Sequence, residues 1–234
     1  MNARIITGMA GLALSVLLAA WPVRAQDSKT PYPKMAPLEQ YMMYRNAEIA
    51  LARSAAPASI SRDAEVLVLG RHGYQTAVKG ANGFVCIVER GWTAPTDDPN
   101  FWNPKLRGAL CLNPQAARSY LPITIKKTEL ILAGESKTQM ADDIKAAFDK
   151  KELPSLEPGA MCYMLSKQQY LDDHATHWHP HVMFFVPGTD SLAMGENTSG
   201  SPVLTSPDAL DRMTVLMVLV PKWSDGTPDS VGSR

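Results

Sequence analysis

"YQTAVKGANGFVCIVER", residues 74–90, is the stretch whose reading decides the architecture. Its two halves have strand length and strand composition, and Asn82-Gly83 between them supplies the positive backbone angles of a tight turn. The stretch therefore reads as two strands around "GANG". "EVLVLG", residues 65–70, precedes it as a continuous apolar run, the pattern of a buried strand.

On the N-terminal side, Leu38, Tyr41, Met42, Arg45, Ile49 and Ala52 fall near one face at helical spacing, with Pro37 entering and Pro57 ending the segment. On the C-terminal side, residues 91–114 mix turn residues with Trp92 and Trp102 and read as a long loop. Residues 115–133 read as helical across Pro122. Ser136 and Gln139 stand at capping-box spacing ahead of Met140, Ile144 and Phe148, which marks a third helix. "AMCYMLS", "HVMFFVP" and "LMVLVP" are apolar runs of strand length. Helices grouped early and in the middle, with strands elsewhere, predict an α+β fold. The expectation is a single mixed or mostly antiparallel sheet of about five to six strands flanked by about three helices.

The first residues predict a destination. Arg4 is followed by the apolar run Ile5 to Ala20, and Val23-Arg24-Ala25 places small residues at the minus-three and minus-one positions of a cleavage site. Residues 1–25 read as a secretory signal peptide cut after Ala25, residues 26–37 as a disordered, proline-rich leader, and residues 38–234 as a single α+β domain. The expected location is secreted or periplasmic. Removing residues 1–25 leaves 209 residues with a formal net charge of minus two. A near-neutral chain gives no electrostatic reason to expect nucleic acid or an anionic membrane as a partner, so neither is expected after signal cleavage.

Cys86, Cys111 and Cys162 fit one disulfide and one leftover thiol in an oxidising compartment. The loop-like segment between them favours Cys86 with Cys111, although all three pairings stay open. Glu89 and Arg90 end a strand and are expected to pair or to face water. Asn197 opens an "NTS" sequon within "GTDSLAMGENTSGSP", whose composition is that of a surface loop.

"HATHWHPH", residues 174–181, holds four of the five histidines. Pro180 excludes a helix interior and biases His179 toward extended geometry, so the cluster runs extended into "VMFFV". Alternate residues of an extended segment share a face, which places His177, His179 and His181 together and aligns His181 with Met183 and Phe185. Imidazoles so arranged predict a transition-metal site, zinc ahead of copper or iron, with His174, Asp172 or Asp173 completing the shell. Such a site handles metal, or it supports metal-assisted hydrolysis with Asp172, Asp173 or Glu196 as base. The alternative is a non-catalytic structural or ligand-binding module whose histidines are satisfied by backbone partners.

Two resemblances bear on this. The His177-x-His179 pair resembles the start of a cupin metal motif, but Met183 and Phe184 stand where that pattern expects glutamate and no histidine follows His181. "VLVLGRHG", residues 66–73, resembles the strand-then-Arg-His-Gly start of histidine phosphatases. That resemblance implies His72 as phosphoryl acceptor, Arg71 as phosphate ligand and His174 as a second histidine, with a helix after the motif.

Overall fold

Four consecutive apolar residues, Val66 to Leu69, are all buried in strand β1 (Glu65–Gly70). A strand that is apolar on both faces suits the interior of a sheet covered on both sides, and β1 is an interior strand. Antiparallel β2 (Gly73–Val78) lies on one side and parallel β3 (Val85–Glu89) on the other. The expected hairpin between residues 74–78 and 85–89 is thus replaced by one between β1 and β2, turning at Arg71-His72 with Gly70 opposite Gly73. The reason is polarity: Gln75 and Thr76 of β2 are exposed and suit an edge, whereas β3 is buried throughout. Gly83 does adopt a positive φ of 78°. Its loop docks elsewhere, with Asn82 Nδ2 donating to the Ile60 carbonyl.

The structure is a computed structural model that describes residues 31–174, 178–188, 194–196 and 198–230. The sequon residue Asn197, His177 and the signal segment 1–25 lie outside them. Tyr32, Met35 and Ala36, in the segment read as a leader, pack against the core.

The sheet continues through β4 (Gly108–Leu112), β5 (Met161–Met164), β6 (His181–Pro187), β7 (Val203–Asp208) and β8 (Met213–Leu219), in the order β2-β1-β3-β4-β5-β6-β8-β7. It has eight strands, not five to six, and every pairing except β1 with β3 is antiparallel. The two strands absent from the sequence reading are β4, hidden at the end of a turn-rich stretch, and β7, whose "VLTSPD" carries a proline tolerated on an edge.

Five helices replace the expected three: α1 (Arg45–Arg53), α2 (Ala58–Ser61), α3 (Pro114–Ser119), α4 (Leu121–Leu132) and α5 (Lys137–Asp149). Residues 115–133 divide because Pro122 cannot donate to the preceding turn; it sits instead in the first turn of α4. Ser136 and Gln139 form the expected capping box of α5. α1 packs on β1, β3 and β4, covering a face made by Val66, Cys86, Val88, Ala109 and Cys111. α3 packs on the opposite face over β4 and β5, and α4 lies against β2 and the 3-10 turn Gly91–Thr93. Cys86 and Cys111 are direct partners across β3 and β4 and are joined by a disulfide, while Cys162 is a buried thiol. None of the helices described is long and apolar enough to cross a membrane.

Candidate ligand-binding cleft

Where α3 and α4 end, the sheet continues. β6, β8 and β7 extend beyond them and leave a cleft of about 490 Å³ on that face. Register builds its floor in four rows across the strands: Met164, His181 and Leu219; then Met183, Met217 and Leu204; then Phe185, Val215 and Ser206; then Met213 and Asp208. At two residues per row the floor runs about 20 Å along the strands. His181, Met183 and Phe185 share this face, as the alternation of an extended segment requires. Leu204 is 47 % exposed, and Met183, Val215, Met217 and Leu219 are only partly buried. The walls are therefore apolar and adaptable, since an unbranched thioether side chain repacks around differently shaped surfaces.

The inner end of the cleft is polar and buried. Glu89, at the end of β3, accepts from Tyr120 Oη at 3.0 Å and Thr124 Oγ1 at 2.8 Å on one oxygen, and from Thr93 Oγ1 at 3.2 Å on the other. Burial raises the Glu89 carboxyl above the usual range even against these donors. Tyr120 stacks on Phe185 with ring centroids 4.0 Å apart, joining this end to the apolar floor. Asp208 lines the cleft beside it, and Lys127 behind it donates to Asp211 at 2.7 Å.

The outer end carries the histidines. His179 Nδ1 meets Asp229 Oδ2 at 2.6 Å, and His181 Nδ1 meets the His179 carbonyl oxygen at 2.8 Å. A carbonyl only accepts, so the His181 proton is on Nδ1 and Nε2 is the basic nitrogen. Desolvation holds this imidazole below its ordinary value, which keeps it neutral. His179 and His181 both line the cleft together with Trp178. His174 is exposed, its N–H donating to Asp172 Oδ1. Among the described residues no group of three or more His, Cys, Asp or Glu is arranged to hold a metal ion.

Asp173 accepts from Lys105, Tyr170 and Tyr32. The Lys105 ammonium foremost, then the two phenols, holds its carboxyl far below the usual range, which makes it a poor base. Glu196 lies in the described segment 194–196 between β6 and β7. Arg71 and His72 form the exposed tip of the β1–β2 hairpin, where Arg71 pairs with Glu39 at 3.3 Å. A strand follows them, not the helix that a histidine phosphatase requires, and no hydrogen bond or ion pair among the described residues joins either to His174.

Glu89, whose strand-end position suggests pairing or facing water, is buried in this cleft, whereas neither Asp208 nor the floor of β8 stands out as a motif. The signal for the floor was present as methionine at alternating strand positions, Met183 in "HVMFF" and Met213 and Met217 in "MTVLM". Comparisons with family models, with curated proteins and with solved structures find no match to this chain.

Proposed function

We propose that the protein is an exported binding protein that holds an elongated, mainly apolar small molecule along the floor of the cleft. The observation that carries this reading is the floor itself: partly exposed methionine, leucine and valine rows about 20 Å long, ending on buried polar groups. Ligand sites are typically apolar concavities of roughly 300–1,000 Å³ with a few convergent polar groups. Export is supported by the apolar run and small-residue cleavage pattern before Gln26 and by the Cys86–Cys111 bridge, which suits an oxidising compartment.

Titration of the protein with 1-decanol and with a neutral fluorescent apolar probe tests the reading. Saturable one-to-one binding is expected, weakened at least about tenfold (1.4 kcal/mol) by Met217→Glu and by Met183→Glu, which place a charge on the floor. Absence of saturable binding, or affinity unchanged in both variants, overturns it.

A second reading places a transition-metal ion, zinc ahead of copper or iron, at the outer end, held by His177, His179 and His181. It is favoured by the Nδ1 contacts of His179 and His181 with oxygens, an orientation in which metal-ligating imidazoles are commonly fixed. Elemental analysis of protein purified without tags or chelators tests it. Stoichiometric metal that disappears when the three histidines are replaced together supports the reading, and metal-free protein from the native compartment removes it.

A further inference from the structure

Acids dominate the inner end of the cleft. Glu89, Asp98 and Asp208 line it, Asp211 stands behind Lys127, and Glu48 stands behind Arg90. Two cations oppose these five carboxyl groups, and both are committed. Arg90 is inaccessible, donating from Nη2 to Glu48 at 2.8 Å, from Nε to the Tyr41 carbonyl at 2.9 Å and from Nη1 to the Val88 carbonyl. Lys127 is 1 % exposed, with its ammonium 2.7 Å from Asp211, 3.3 Å from the Thr93 carbonyl and 3.9 Å from Asp208. Arg90 alone among the lysines and arginines of the described residues lines the cleft, with Lys127 behind it.

Glu89 is also short of donors. Its Oε2 receives the Thr93 hydroxyl at 3.2 Å, but that hydroxyl has a single proton to divide between Oε2 and the Arg90 carbonyl at 2.9 Å. Asp98 is occupied on one oxygen by the Asn100 N–H at 2.6 Å, and Asp208 on one by the Asp211 N–H at 3.1 Å. A carboxylate taken out of water is costly unless it is paired and hydrogen-bonded, so this end, with more carboxyl groups than cations and one half-used donor on Glu89 Oε2, has room for a further positive charge and further donors.

Resting on the cleft reading above, we propose that the occupant is an amphiphilic amine, its protonated amino group set against Glu89 and Asp208 and its aliphatic or aromatic body laid along the methionine floor. An ammonium brings three donors and one full charge, and supplies both at once. A neutral alcohol of the same length supplies one donor and no charge. A carboxylate-headed amphiphile brings a like charge to the acids and is excluded from this orientation.

Decylamine, 1-decanol and decanoate share one apolar body and differ in the head, so their affinities below micelle-forming concentrations separate the two claims. The amine is expected to bind at least about tenfold more tightly than the alcohol (1.4 kcal/mol), with decanoate weakest. In Glu89→Gln the preference for amine over alcohol falls to a few-fold while decanol affinity holds. Asp208→Asn does the same from the other side and serves where the first variant does not fold. Equal affinity for decylamine and decanol overturns the amine and leaves the apolar cleft standing. A preference that persists undiminished in both variants also overturns it, because it then arises elsewhere. Failure of all three to bind removes the cleft reading and the amine together.

Discussion

Glu48 of α1 and Arg90 at the end of β3 form an ion pair at 2.8 Å with both side chains sealed from solvent, at 1 % and 0 % exposure. The pair fixes the helix to the sheet, because Glu48 Oε1 also accepts the Leu69 N–H of β1. Removing one partner leaves the other charged and buried, a loss of about 3–5 kcal/mol. Glu48→Gln and Arg90→Met are each expected to show it in urea denaturation, whereas the double variant Glu48→Met/Arg90→Met recovers a large part. Single variants as stable as the wild type would refute the assignment.

The disulfide constrains a separation of 25 residues that contains the three buried aromatics Trp92, Phe101 and Trp102. Closing a loop of that size stabilises by about 3 kcal/mol through the unfolded state. Cys86→Ala/Cys111→Ala is expected to lose that amount in a denaturant titration. Cys162 behaves differently, because burial pushes its thiol well above the usual range. Iodoacetamide is expected to leave it unmodified in the folded protein and to label it on unfolding, as mass spectrometry would read directly.

Local patterns that depend on neighbours in sequence were legible, and patterns that depend on neighbours in space were not. The capping box of Ser136 and Gln139, the buried run Val66 to Leu69 and the shared face of His181, Met183 and Phe185 follow from spacing alone. Strand β4 did not, because "GALCL" sits after a turn-rich stretch and acquires strand geometry only between β3 and β5. The hairpin falls elsewhere than the Asn82-Gly83 turn signal suggests because polar β2 takes the sheet edge beside β1 while fully buried β3 takes the interior. At the candidate site, the histidine cluster drew attention since it is contiguous. Glu89, the first turn of α4 with Tyr120 and Thr124, and Asp208 come from three separate parts of the chain, and only the folded sheet brings them to one end of a cleft.

Burial, chiefly, pushes the Asp211 carboxyl up from 3.8 to about 6. An acid whose folded value lies above its unfolded value holds its proton more tightly when folded. Its contribution is therefore fully present below about pH 4 and is lost as pH rises to about 6, at 1.4 kcal/mol per unit or about 3 kcal/mol in all. Glu89 acts in the same direction. Asp173, held below its usual range, acts oppositely, and its contribution is lost only as pH falls below the unfolded value. Between pH 4 and pH 7 the wild type should lose stability relative to Asp211→Asn, a comparison made by urea denaturation at four or more pH values. Parallel curves for the two proteins would show that Asp211 does not hold its proton in this way.

Gly91 links the stability of the fold to the wall of the cleft. A Cβ at this buried position would stand 2.3 Å from the Asn100 carbonyl oxygen and 2.6 Å from that of Phe101. Both obstacles are backbone, so neither can rotate away, and the segments around residues 91 and 101 must separate. Overpacking of this kind costs about 1–3 kcal/mol, which for a chain of this size lowers the melting temperature by several degrees. Gly188→Ala is the control, because a Cβ there meets nothing within 4 Å. The displacement also carries Thr93, two residues along, away from Glu89 Oε2. Gly91→Ala should therefore weaken decylamine more than decanol, since the apolar floor on β6 and β8 is untouched while the acidic end is disturbed. Equal weakening of both ligands would mean that the wall at Thr93 takes no part in holding the amine.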